Sequence, residues 1–226
     1  MGTLFMIVLG QYGGLRSFGK ALALVLASVV PAKAQDLAIL AFGDSLTHGY
    51  GLIEQHGFVP QMRDWLAGQG VTLRLVNGGV SGDTTAGGAA RIDWSLTPDI
   101  DGVMLALGAN DMLRGIDPAS SRDNLARIIE AAQARDLPVL LIGFQASNNF
   151  GPDYKAAFDG MYPDLAARYD TLYAPSFFAG LQTDDPSTVA ALMQPDGLHP
   201  NADGVALIVG DLGPRVLELI AATSAD

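Results

Sequence analysis

Five short apolar runs, at positions 37–42, 73–76, 103–107, 139–144 and, more weakly, 171–174, alternate along the chain with longer stretches of helical period. A run that stays apolar through consecutive residues, instead of alternating with polar ones, suits a strand buried on both faces, as in a parallel sheet. The stretches between them read as helices at about 58–69, 84–96, 121–135, 154–168 and 202–222. In the third, Leu125, Ile128, Ile129 and Ala132 fall at i, i+3, i+4 and i+7, which makes one apolar stripe. Ser120 and Ser121 are cap candidates at its start, and Pro138 closes the segment. Strands alternating with helices in this way imply an open α/β sheet covered on both faces. In such sheets ligands bind beyond the carboxyl ends of the strands, so chemistry is expected along that edge.

Composition narrows the class further. The chain has 226 residues, 49% of them apolar and 16% charged, enough to bury a substantial core. It has no cysteine, which excludes disulfides, thiolate metal sites and a cysteine nucleophile. Three histidines (His48, His56 and His199) leave little room for a histidine-built metal centre. Residues 1–34 hold Arg16, Lys20 and Lys33 and no acid, so the remainder sets 24 acids against 10 bases, a net −14. That charge excludes a nucleic-acid partner. Positions 21–30 form an apolar run behind two basic residues, followed by Ala32-x-Ala34, a signal-peptidase pattern. The run is half the length a membrane-spanning helix needs. Residues 1–34 are therefore expected to be a signal peptide, cleaved to leave Gln35 at the N-terminus. Residues 35–226, with no repeat or linker, are expected to form one domain. The expected location is periplasmic or secreted, with no stable membrane insertion after cleavage.

Four blocks carry candidate chemistry, three of them where strands should end. The first is Gly43-Asp44-Ser45-Leu46, which departs from the G-x-S-x-G elbow because position 47 is threonine. The second is a glycine-rich turn, Asn77-Gly-Gly-Val-Ser-Gly82, opening a helix, and the third is Gly108-Ala109-Asn110-Asp111. The fourth, Asp196-Gly-Leu-His199-Pro200, precedes the last helix. Taken singly, each has a bland reading: a helix cap, a turn, a surface pair. Together they place polar or amide-rich corners on one edge, with a histidine able to activate a serine. His199 would take the proton of Ser45, and Asp196, three residues away, would hold the imidazole in the right tautomer.

These four blocks, in this order, resemble the SGNH (GDSL) hydrolase superfamily. Leu113-Arg-Gly-Ile116 and Asn149-Phe-Gly-Pro-Asp-Tyr154 look like its bacterial periplasmic thioesterase, lysophospholipase and arylesterase branch. The resemblance covers Gly43 to Pro200. It implies a flavodoxin-like three-layer α/β/α sandwich with a five-stranded parallel sheet. It also implies Ser45 as nucleophile, His199 as base and Asp196 as its orienter. The Ser45 and Gly82 amides and the Asn110 side chain would make the oxyanion hole. Two positions depart from the pattern: Ala109 stands where many relatives have glycine, and His48 where they often have a small residue. His48 reads either as a helix-face histidine or as a second titrating group, and His56 as solvated.

The implied activity is a serine ester hydrolase acting on small acyl esters, thioesters or lysolipids of short-to-medium chain, as a monomer and without metal or organic cofactor. Met112, Leu113 and Ile116 follow Asn110, and in that branch the same loop covers the acyl chain; plain core packing is the other reading. Phe144, Phe150 and Tyr154 are expected on the opposite wall. Two rivals remain open. A carbohydrate O-deacetylase of the same superfamily would need a sugar-stacking groove, whereas both tryptophans, Trp65 and Trp94, fall within helix patterns. A non-catalytic binding module would not need the full set Ser45, Asn110, Asp196 and His199.

Overall fold

In the computed structural model, which describes residues 37–182 and 185–223, every one of the apolar runs becomes a strand: β1 Ala38–Gly43, β2 Arg74–Gly79, β3 Gly102–Ala106, β4 Val139–Ile142 and β5 Leu172–Ala174. They form one sheet in the order β2-β1-β3-β4-β5, parallel throughout. Every residue of β1, β3 and β4 is buried, as the unbroken apolar runs require, while the edge strand β2 is partly open. This is the flavodoxin-like strand order, whose switch point lies between β1 and β3.

The helices are α1 Ser45–His48, α2 Phe58–Gly68, α3 Thr85–Ser95, α4 Ala109–Leu113, α5 Pro118–Gln133, α6 Pro152–Tyr169, α7 Pro186–Ala191 and α8 Ala202–Ala222. α2 packs with α8 on one side of the sheet, and α3, α5 and α6 pack side by side on the other, giving the three layers. The long helices fall where the periodicity puts them. The short α1, α4 and α7 were not expected, because one or two turns carry no apolar period to detect.

Two local expectations are corrected. α5 starts at Pro118, not near Ser121, and its cap is Asp117, whose carboxylate accepts from the Ala119 N–H at 2.9 Å. Proline at the first helical position costs no hydrogen bond and pre-sets φ, so the helix begins there. Ser121 is fully buried and donates to the Asp111 carboxylate instead, at 2.9 Å. β4 stops at Ile142, two residues early, because Phe144 turns into an aromatic cluster with Tyr162, Phe177 and Phe178.

At the carboxyl edge, close approach decides the sequence. Gly79 ends β2 directly beneath α1, and a Cβ there would lie 2.3 Å from the His48 nitrogen. Only glycine lets the serine-bearing turn lie against the strand end. The signal-peptide expectation for residues 1–34 lies outside the described residues. Among the described residues, no helix is long and apolar enough to cross a membrane.

Candidate active site

β1 leads into Asp44, whose carboxylate caps α1 by accepting from the Leu46 N–H at 3.0 Å. The turn that follows presents Ser45 at the carboxyl end of β1. Its hydroxyl lies 2.8 Å from His199 Nε2, although the two residues are 154 positions apart. His199 Nδ1 lies 2.7 Å from Asp196 Oδ2. The other oxygen of Asp196 accepts from the Leu198 and His199 N–H groups, so one carboxylate both folds the loop and orients the ring. Hydrogen bonds from the His199 ring, and then from those two backbone groups, hold the Asp196 carboxyl down at about 2. Asp196 therefore stays an acceptor across the physiological range.

The loop is itself anchored. The Gln194 side-chain amide donates to the Tyr50 carbonyl at 2.9 Å and to the Pro200 carbonyl at 3.0 Å, tying the histidine loop to the end of α1. The Tyr50 ring lies tilted on the His199 ring, with centroids 4.7 Å apart.

Gly82 sits in the turn between β2 and α3 with φ +82°, a conformation that favours glycine. Two arginines hold that turn. Arg91 donates to the Asp83 carboxylate at 2.6 Å and to the carbonyls of Gly78 and Gly43 at 2.9 Å each, and Arg114 donates to the Gly82 carbonyl at 2.9 Å. Neither the Ser45 nor the Gly82 N–H is taken up by a hydrogen bond among the described residues. Asn110, at the start of α4, donates through Nδ2 to Asp44 Oδ2 at 3.3 Å. Behind it, fully buried Asp111 accepts from the Thr85 N–H and hydroxyl and from the Ser121 hydroxyl, joining α3, α4 and α5.

Ser45, Gly82, Asn110 and His199 all face one cavity of about 770 Å³. Its polar residues lie at the strand ends (Asp44, Ser45, Ser81, Asn110), after α1 (Tyr50), on the loop before α8 (His199) and, alone on the far side, at Gln182. The rest of the wall is mostly apolar: Met112 and Leu113 on one side, and Phe178, Leu181, Val189 and Met193 on the other. A cavity of this size, mostly apolar with a few convergent polar groups, is the usual form of a small-molecule site.

Residues 41–207 match the GDSL-like lipase/acylhydrolase family. The chain belongs to that family. It is accordingly a serine ester hydrolase, as the family's name and its relatives' activities require. Esterase TesA of Pseudomonas aeruginosa is 37% identical over 200 residues, covering 88% of this chain and 96% of that protein. Thioesterase 1/protease 1/lysophospholipase L1 of Escherichia coli K12 is 32% identical over 201 residues, covering 88% and 91%. Among solved structures, the SGNH-hydrolase family esterase AlinE4 is 41% identical with a TM-score of 0.67, covering 81% of this chain and 96% of that one.

Within this acylhydrolase the two polar arms expected from the sequence meet, but the expected acyl wall is only partly right. Met112 and Leu113 line the cavity; Ile116 does not, and its carbonyl instead accepts from the Tyr154 hydroxyl at 3.0 Å. Phe150 lies against Gly115, its ring 5.1 Å from that of Tyr154, so both brace the loop from behind. Phe144 is buried in the core and reaches the site only by supporting Phe178. The opposite wall comes instead from Phe178, Leu181, Val189, Met193 and Leu198, between β5 and α8, where apolar positions follow no period. His48 sits beside the site, its Nδ1 3.4 Å from the Ser81 hydroxyl, and does not face the cavity.

One further residue escaped the sequence reading. Asp44 is fully buried, and burial pushes its carboxyl up to about 6 despite the Leu46 N–H, the Asn110 amide and His199, which pull it down. In the sequence it stands only as one member of the Gly43-Asp44-Ser45-Leu46 block.

Proposed function

We propose that this acylhydrolase cleaves short-to-medium acyl esters and thioesters, lysolipids among them, outside the cytoplasm through an acyl-Ser45 intermediate. The observation that carries the reading is the unbroken hydrogen-bond line from Asp196 through His199 to Ser45 at the mouth of an apolar cavity. The Ser45 oxygen attacks the acyl carbon while His199 Nε2 takes its proton, and the carbonyl oxygen becomes the oxyanion. The Ser45 and Gly82 N–H groups and the Asn110 amide donate to it. Donors of this kind are usually the largest single contribution, about 10²–10³ in rate for each. Collapse expels the alcohol or thiol, which leaves with the proton from His199. A water molecule then gives a proton to His199 and attacks the acyl carbon, freeing the carboxylic acid and restoring Ser45.

Met112, Leu113, Val189 and Met193 suit a chain of several methylenes and offer a sugar little to hydrogen-bond. The signal-peptide pattern ahead of Gln35 supports action on substrates available beyond the cytoplasm. The test is a fluorophosphonate probe followed by a substrate panel. Wild type should be labelled, and Ser45→Ala should lose both the label and about 10³ or more of kcat on p-nitrophenyl octanoate. Activity surviving in Ser45→Ala would reject the nucleophile. Preference for acetylated xylan over octanoyl esters and lysophosphatidylcholine would make the enzyme a deacetylase.

A further inference from the structure

Among the described residues two carboxyls are buried beside the site, Asp111 and Asp44; Asp111 is taken up by Thr85 and Ser121, whereas Asp44 faces the cavity and the acyl-transfer mechanism gives it no task. If it served only to cap α1, an uncharged serine, threonine or asparagine would do as well, without the cost of a buried carboxyl. The cap occupies only one of its oxygens: Oδ1 takes the Leu46 N–H at 3.0 Å, and Oδ2 is left to the Asn110 amide at 3.3 Å. Asparagine is two-ended. Turned by 180°, Asn110 would aim its carbonyl oxygen, an acceptor, at a place that needs a donor. A carboxylate can only accept, so it selects the end of the amide that faces it.

We propose that Asp44 is a positioning residue for the oxyanion hole: its buried carboxylate fixes Asn110 with Nδ2 toward it, leaving the second N–H of that nitrogen for the oxyanion. This rests on the reading of Asn110 as an oxyanion donor. Asp44 is joined by one peptide bond to Ser45, whose N–H is another donor, so a single residue sets the Asn110 amide relative to the nucleophile's corner. Replacement by asparagine keeps the shape but opposes one NH2 group to another. Either Asn110 then turns away, or the new amide turns and gives up the Leu46 cap. Replacement by serine keeps a good cap and removes the acceptor that Asn110 uses.

A double-mutant cycle tests this, using kcat and KM for p-nitrophenyl butyrate and a thermal melt for each variant. Asn110→Ala should lower kcat by about 10²–10³. Asp44→Asn and Asp44→Ser should each lower kcat about tenfold or more with KM within about twofold, yet change it less than about twofold on the Asn110→Ala background. A residue that merely supports the fold would not lose its effect when Asn110 is removed. Equal losses on both backgrounds would overturn the proposal while leaving the oxyanion assignment intact. A normal kcat for Asn110→Ala would overturn the oxyanion assignment first. Should Asp44→Asn fail to fold, the serine variant, which keeps the cap, decides by the same criterion.

Discussion

The two walls of the cavity are built by different means. The reactive wall comes from strand ends and the loop before α8: Ser45 after β1, Gly82 after β2, Asn110 after β3, and His199 held by Asp196. Each group is held in place: Ser45 by the Asp44 cap, Gly82 by its positive φ and the Arg114 clamp, Asn110 by its bond to Asp44, and His199 by Asp196. The apolar wall comes mainly from Phe178, Leu181, Val189 and Met193, in and beside a 3-10 turn and the short α7. Chemistry needs placement within fractions of an ångström, which rigid strand ends supply. An acyl chain needs only an apolar, adaptable surface, which short elements supply. The first wall should therefore respond to substitution in kcat for every substrate, and the second in chain-length preference.

The sharpest break of that contrast is His199→Ala. It should lower kcat by about 10³ or more, and equally for acetyl and octanoyl esters, because the base acts on the ester and not on the chain. A loss confined to long chains would place His199 on the wrong wall. Next in size, Met193→Ala or Val189→Ala should lower kcat/KM for p-nitrophenyl octanoate about tenfold, at about 0.8 kcal/mol per lost methylene contact, and leave the acetate ester nearly unchanged. Ile116→Ala should shift the chain-length profile less than about twofold, because Ile116 does not line the cavity. A large shift there would mean the loop opens to admit it.

Asp44 brings stability into the comparison. Its carboxyl titrates at about 6 in the folded protein against an ordinary value of 3.8. The folded state therefore holds that proton more tightly than the unfolded chain does. Stability from this group is present below about pH 4 and is lost as pH rises through about 6, at roughly 3 kcal/mol when complete. The melting temperature of Asp44→Asn, taken as a difference from wild type, should accordingly stand higher at pH 8 than at pH 4, whatever its sign. A difference that is flat with pH would show that the Asp44 charge is not buried at a cost.

Much of this is legible in the residues themselves. The runs at 37–42 and 103–107 announce central strands because nothing polar interrupts them, and α8 spans the stretch that its period marks. Ser45, Asn110, Asp196 and His199 stand out because each follows a strand or precedes a helix in a short local pattern. What had to wait for the tertiary structure is different in kind. The start of α5 was misread because Ser121 serves Asp111, a partner ten residues away and invisible to local pattern. Phe144, Phe150 and Tyr154 were misplaced because apolar character tells that a side chain is buried and not which cavity it faces. Asp44 drew no role from the sequence, because its burial and its bond to Asn110, 66 residues away, exist only once β1 and β3 lie side by side. Periodicity records what a segment does to its own backbone and to one layer of core; the direction in which a loop residue points is set by long-range packing, which leaves no period in the chain.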